Sequence, residues 1–305
     1  MILAAGLSPA WQQMLCISEL AVGQVNRATE ACWSSSGKVL NVALALHHLG
    51  ADVSTLAVTG GLEGQRIEAE FDALGIPRQW IGSAHRTRVC TTILDLASGE
   101  TTELVENAHP ISEKEMESFE AAFVAAAAVA KFVILSGSLP RGVSPDLYAR
   151  LVSLSSGRAI LDIRGPELLA TLEHRPFLVK PNREELAHTA GRSLEGRDDV
   201  VAAMAELNEQ GAEWVLVTDG PGEVLVHSRD ALFGFRSLPV QVLNPIACGD
   251  CFCAALAWAL ARGKTMEEAV PLGIAAAAEN ATKLLPGRLD PKRVERLAAG
   301  VERTR

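Results

Sequence analysis

The chain has 305 residues, 48% of them hydrophobic and 5% aromatic, with a formal net charge of −9. That apolar share excludes disorder and leaves Ala, Leu and Val to fill a large core, while an acidic balance without a basic stripe excludes a nucleic-acid footprint. No apolar run reaches the ~18 residues of a membrane span, Met1 to Ser18 carries no charge and so lacks the basic start of an export signal, and the six cysteines follow no disulfide spacing, so reduced thiols in a cytoplasm are expected.

In chain order, Ile2–Gly6 is a short apolar strand, and 12–33 is irregular with strand-like pieces. Val39, Leu40, Val42, Ala43, Leu46 and Leu49 recur at helical spacing, which predicts a helix over Lys38–Leu49 stopped by Gly50. Val53–Val58 reads as a strand and Ile67–Leu74 as a helix ended by Gly75. Residues 88–106 read as a hairpin, Val89–Leu94 and Thr101–Val105 around a Ser98-Gly99 turn. Beyond it, helices are expected over Glu113–Ala130, Pro145–Ser153, Arg183–Ala190, Asp198–Gln210, Cys251–Ala261 and most of Thr265–Ala281. Strands are expected over Phe132–Leu135, Ala159–Ile163, Phe177–Val179, Trp214–Thr218 and Val240–Leu243. The alternation of strand and helix predicts an α/β protein, a mostly parallel sheet with helices on both faces. The segments at about 12–33 and 88–106 interrupt it, which suggests a small β-layer folded over one end of a single domain spanning 1–305, as a substrate lid, a dimer contact or both.

The most informative segment is Leu243–Phe252, where a strand is expected to run into a small-residue turn and an Ala-rich helix. At that helix start the unpaired amides of Ala247, Cys248 and Gly249, with the helix dipole, form an anion site. Asp250 stands beside it in the first turn. An anion site next to a carboxylate suits phosphoryl transfer, the amides holding charge and the carboxylate orienting an attacking hydroxyl and taking its proton. The alternative is an aspartate that merely closes a helix. Asn182 and Glu185, three apart at a helix start, share one face and could organise a hydrated magnesium ion; a solvated carboxylate is the plainer reading of Glu185. Cys248, Cys251 and Cys253 read as small helix-packing residues rather than metal ligands, since no His or fourth Cys stands nearby.

These residues fall into a recognisable order. Ala247-Cys248-Gly249-Asp250 resembles the "GAGD" anion-hole motif of the ribokinase-like, or PfkB, carbohydrate kinases. Ser35 to Ala43 resembles the family's "GGKGxNVA" sugar stretch, and Gly60-Gly61-Leu62-Glu63-Gly64 its early glycine signature. Ser136 to Val143 resembles the "SGSLPxGV" of its phosphofructokinases and tagatose-6-phosphate kinases, Lys180 to Leu186 resembles "KPNxxEL", and Thr218 to Gly222 the nucleotide loop "SLGxxG". The resemblance implies a three-layer α/β/α core with a β-sheet lid and an ATP- and Mg²⁺-dependent kinase acting on a phosphohexose such as fructose 1-phosphate or tagatose 6-phosphate. It also implies the roles. Asp250 is the base, with Ala247, Cys248 and Gly249 as the anion hole. Gln12, Gly37, Lys38, Asn41, Arg88 and Ser136 hold the sugar and its phosphate. Lys180, Thr218, Gly220 and Gly222 hold the nucleotide, and Asn182 and Glu185 the metal. A homodimer through the lid is a further implication.

The chain departs from the pattern at several points. Gln12 replaces the aspartate of "NPAxD", an amide where a charge is usual. Val39 replaces the second glycine of "GKG", Ala247 the first glycine of "GAGD", with a helix-start geometry expected to suit it, and Pro245 a common threonine. Glu223 stands where a second glycine is common, which brings a carboxylate toward the phosphate path. Two other readings therefore stand beside the phosphosugar kinase. One is a kinase of a neutral sugar or nucleoside, against which Lys38 and Arg88 argue; the other is a catalytically weak sugar- or nucleotide-binding sensor.

Overall fold

The structure, a computed structural model, describes residues 1–155 and 158–304. Its ten-stranded sheet is built around β1 (Ile2–Gly6), the first strand. β1 lies between β4 (Val53–Thr59) and β8 (Phe132–Ser136), parallel to both. The parallel order continues outward to β5 (Arg78–Gly82) on one side. On the other side it runs through β9 (Arg158–Asp162), β10 (Leu178–Val179) and β11 (Trp214–Val217). Beyond β11 the sheet turns antiparallel, through β12 (Glu223–His227), β13 (Leu232–Arg236) and the two-residue β14 (Arg303–Thr304).

The strands alternate between two cores because successive side chains point to opposite faces. Ile2, Ala4, Ile134 and Leu216 join one core, under α1 (Lys38–His48), α2 (Gly61–Leu74), α8 (Cys248–Ala261), α9 (Met266–Ala281) and α10 (Pro291–Ala298). Leu3, Ala5, Val133, Leu135 and Val215 join the other, under α3 (Glu113–Ala127), α4 (Leu147–Leu154), α5 (Pro166–Thr171), α6 (Arg183–Ala190) and α7 (Arg197–Gln210). Helix α8 is buried on every side from Asp250 to Leu260. Its alanines let α1 and α9 pack close, as expected of a helix apolar all round.

A second sheet has the order β3-β2-β6-β7, from β2 (Ala10–Ile17), β3 (Ala28–Ser36), β6 (Arg88–Asp95) and β7 (Thr101–Val105). Both excursions expected at 12–33 and 88–106 build it, the first starting at Ala10 and ending at Ser36.

The differences from the sequence reading have physical causes. Trp214–Val217 is followed by an antiparallel hairpin, 223–236, whose buried Val224, Leu225, Val226, Phe233 and Phe235 were not read as strands. Residues 240–243 do not form a strand. The edge beside β13 is already taken by β14, and Val242 and Leu243 are exposed. The segment is held instead by the end of α9, where Leu243 N and Asn244 N donate to the Ala281 carbonyl at 2.7 and 3.1 Å.

Candidate active site

The turn before α8 is open to solvent: Gly249 is exposed, Ala247 and Cys248 half-exposed. Ala247 is the N-cap and sits at φ 63°, in the left-handed region. This corrects the expectation that a helix-start geometry suits an alanine there, because a Cβ in that region costs ~1–2 kcal/mol. The Cys248 amide, expected bare, donates to the Pro245 carbonyl at a long 3.3 Å. Asp250 follows in the first helical turn and is 5% exposed.

The Asp250 carboxylate accepts from Asn41 Nδ2 of α1 at 2.8 Å. Burial, then the nearby charge of Asp162, push its pKa up to about 6, against the pull of Lys38, Asn41 and Lys180. Asp162, the last residue of β9, was absorbed by the sequence reading into an apolar strand. It is 2% exposed and pairs with Lys38 Nζ at 3.2 Å and Lys180 Nζ at 3.5 Å. Burial opposes its charge, but Lys180 and Lys38 outweigh it and hold the carboxyl below the usual range. The same balance raises Lys38, where burial is overcome by Asp162, Asp250 and Glu185. Lys180 is itself buried, and its ammonium lies beside the turn, 3.6 Å from where a Cβ on Gly249 would stand. The cluster collects at the carboxyl ends of parallel strands, where open α/β sheets place ligands.

Asn182 and Glu185 are engaged with each other. Asn182 Oδ1 accepts from Glu185 N at 2.8 Å and Glu185 Oε2 from Asn182 N at 2.9 Å, a capping box that starts α6. Glu185 Oε1 remains directed to Lys38, at 3.5 Å. Among the described residues no three His, Cys, Asp or Glu side chains converge on a metal position.

The predicted sugar residues divide into two groups. Gly37, at φ 86°, caps α1 where a Cβ would stand 2.7 Å from the Ser8 carbonyl, so the approach of the two segments requires glycine. That carbonyl also accepts from Arg88 Nη2 at 3.1 Å, and Ser8 Oγ donates to Ser138 O at 2.6 Å. Gly37, Lys38, Asn41 and Arg88 therefore border one region. Gln12 is buried and donates to Thr92 Oγ1 within the small sheet. Ser136 is buried with its Oγ unpartnered. The residue that reaches a cavity is Ser138, two positions on. That cavity, of about 540 Å³, is lined by Arg88, Asn107, His109, Ser138 and Arg141, with no carboxylate among its lining residues.

The description "pfkB family carbohydrate kinase" matches residues 17–293 of the chain. The chain belongs to the PfkB family of carbohydrate kinases. Phosphofructokinase-2 from Escherichia coli, solved in complex with substrates and products, superposes with TM-score 0.89 at 27% identity over 97% of this chain and 98% of that one. A possible 1-phosphofructokinase from Thermotoga maritima superposes at 0.91 with 22% identity over the whole of both chains. Arabidopsis thaliana ribokinase, complexed with ribose and ATP, superposes at 0.77 with 20% identity over 97% and 98%. The fold is accordingly ribokinase-like.

In this PfkB kinase the predicted nucleotide residues follow β11. Thr218 bridges to Asn182 in parallel fashion, which joins this loop to the start of α6. Gly220 turns the chain at φ 51°, and the carbonyls of Gly220 and Gly222 accept from Ser237 Oγ and Ser237 N, both at 3.1 Å. Lys180 stands apart from these three, in the Asp162 cluster. Glu223, expected to bring a carboxylate toward the phosphate path, is engaged by two neighbours in this structure. Its carboxylate pairs with Arg197 Nε at 3.0 Å and accepts from Thr304 Oγ1 at the sheet edge. Asp162 in the charged cluster and Ser138 and Arg141 at the cavity were not singled out by sequence reasoning. A carboxylate closing an apolar strand was the available signal for Asp162, and an arginine inside "SGSLPxGV" for Arg141.

Proposed function

We propose that this PfkB kinase transfers the γ-phosphoryl group of ATP to a hydroxyl of a hexose phosphate, fructose 1-phosphate or tagatose 6-phosphate being the leading acceptors. One observation carries the reading: the buried Asp250 carboxylate, oriented by Asn41, lies in the first turn of a helix whose start is open and flanked by the ammonium of Lys180. Asp250 orients the acceptor hydroxyl and takes its proton, and a carboxyl pushed up to about 6 is a better base near neutrality than an ordinary aspartate. The open amides of the turn and the ammonium of Lys180 meet the charge that develops on the transferring group. Glu185 and Asp162 are the carboxylates that would face a magnesium ion bound with the nucleotide, which would neutralise charge on its phosphates. The small sheet serves as a lid that excludes water.

The acceptor's phosphate is assigned to the cavity of Arg88 and Arg141. Among the described residues the hydrogen bonds of Arg88 go to backbone carbonyls, those of Ser8, Pro9 and Glu106, so its charge is available to an anion. ADP release over a panel of fructose 1-phosphate, fructose 6-phosphate, tagatose 6-phosphate and neutral hexoses tests the reading. Turnover confined to phosphosugars supports it. Turnover confined to neutral sugars or nucleosides, or tight phosphosugar binding without ADP release, overturns it. Arg88→Ala is expected to raise KM for the phosphosugar about 10- to 100-fold with KM for ATP unchanged, the loss of a charge-assisted hydrogen bond of ~1.5–3 kcal/mol.

The lid also supports a homodimer. Trp33, Gln13, Thr91 and Leu104 lie in one row across all four strands, and so on one face. Trp33 and Leu104 are 42% and 58% exposed, and Trp11 stacks on Trp33 at 6.1 Å. A sheet face that exposes Trp33 and Leu104 beside the polar Gln13 and Thr91 suits pairing with a second copy of itself. Leu104→Glu is expected to convert a dimer to a monomer in light scattering; an unchanged mass refutes this interface.

A further inference from the structure

Asn280, in the last turn of α9, is 1% exposed, yet its amide makes four polar contacts. Nδ2 donates to the Ile246 carbonyl at 2.8 Å and to Cys248 Sγ at 3.5 Å. Oδ1 accepts from Gly287 N at 2.9 Å and from Cys251 Sγ at 3.2 Å. A primary amide has two donor hydrogens and two acceptor lone pairs, so its capacity is filled. Ile246 and Cys248 flank Ala247, the alanine held at φ 63°. A left-handed residue with a Cβ persists where its surroundings over-determine it, and here Asn280 grips the chain on both sides of it.

The second pair of contacts leads to the base. Gly287 packs on α1, where a Cβ would stand 3.2 Å from the Asn41 carbonyl, and Asn41 holds the Asp250 carboxylate. One buried amide thus joins the turn, helix α8 and the loop that abuts Asp250's partner. It also accounts for Cys248 and Cys251, whose sulfurs complete its bonding.

We propose that Asn280 is the positioning residue of the turn before α8, fixing the 246–249 backbone relative to Asp250 without touching a substrate. The proposal rests on the reading of that turn as the phosphoryl site. An amide has no reactive role here; its contribution is to hold the donors where charge develops, and outer partners of this kind alter activity by about 10- to 100-fold.

Three full-length variants test it. Asn280→Ala is expected to lower kcat about 10- to 100-fold with KM for the phosphosugar within about twofold. Asn280→Asp keeps the volume but sets an oxygen against the Ile246 carbonyl, and is expected to lose at least as much. Asn208→Ala is the control: Asn208 is equally buried and bonds Ala212 O and Glu213 O away from the site, so it is expected to lower Tm with kcat unchanged. A second readout needs no turnover. Alkylation of Cys248 by iodoacetamide, followed by peptide mass spectrometry, is expected to quicken several-fold in Asn280→Ala, because Sγ loses its partner and the turn loosens. If Asn280→Ala lowers Tm as Asn208→Ala does while kcat stays within about twofold, the proposal fails. An unchanged alkylation rate overturns it as well. Absence of phosphoryl transfer by the wild-type protein counts against the reading of the site, and the alkylation rate then decides the role of Asn280 by itself.

Discussion

Asp250→Asn is expected to fold normally and to lose about 10³-fold in kcat, with KM for both substrates within about threefold. A positioned general base contributes roughly 10²–10⁴, and the substitution keeps an oxygen to accept from Asn41 Nδ2, so geometry survives while basicity does not. The wild-type pH profile carries the same signature. With the Asp250 pKa at about 6 rather than 3.8, kcat/KM is expected to fall on the acid side of about pH 6. The sign for stability is opposite. Below pH ~4 the carboxyl is neutral in both states and its burial carries no charge penalty; between ~4 and ~6 the folded protein holds a proton that the unfolded chain has released, so stability falls as pH rises through this window until the carboxyl ionises in the fold at about 6. Above that pH the ionised carboxylate is a burden, and Asp250→Asn is expected to match or exceed the wild-type Tm at pH 8. A calorimetric scan checks this; a large fall in Tm would mean that the carboxylate is a structural support rather than a poised base.

Asp162→Ala is expected to be the most destabilising single change in the site. It strands Lys180, 2% exposed, as a buried ammonium without its carboxylate, and removing one partner of a buried pair costs about 3–5 kcal/mol. In a chain of this length that corresponds to a fall of roughly 5–10 °C in Tm. Combining Asp162→Ala with Lys180→Met removes both charges and is expected to recover most of the lost Tm without recovering activity, since Lys38 and the turn still lack their electrostatic frame. Single and double variants compared by calorimetry and ADP release separate the two effects; a double variant as unstable as the single one contradicts the pairing. Asp162 is held below the ordinary range, so its contribution is present above its unfolded pKa and is lost only on acidification.

Most of the architecture was legible because periodicity is local. The helical rhythm of 38–49, the alternation of strand and helix, and the stops at Gly50 and Gly75 were each read within one element, and each has its counterpart in the fold. The Asn-x-x-Glu spacing was read as a magnesium pair, whereas in the fold it forms the capping box that starts α6. Two strand readings went astray where a neighbour decides. Residues 240–243 look like a strand, but the sheet edge was filled by 303–304. The 223–236 hairpin was missed, although its apolar side chains find buried places.

By itself the amino-acid sequence determined the layered fold, the helix expected over Cys251–Ala261, which the structure starts at Cys248, and the presence of an acid at its start. Only the tertiary structure decided what that acid is worth. Residues 41, 162, 180 and 250 lie far apart in the chain, and their convergence sets the charge state of Asp250. The left-handed Ala247, the burial of Ser136, the distant pairing of Glu223 and the grip of Asn280 on the turn are likewise long-range. The physical reason is common to all of them. Propensity and pattern act through neighbours in the chain, whereas desolvation, ion pairing and backbone strain depend on groups that only folding brings together.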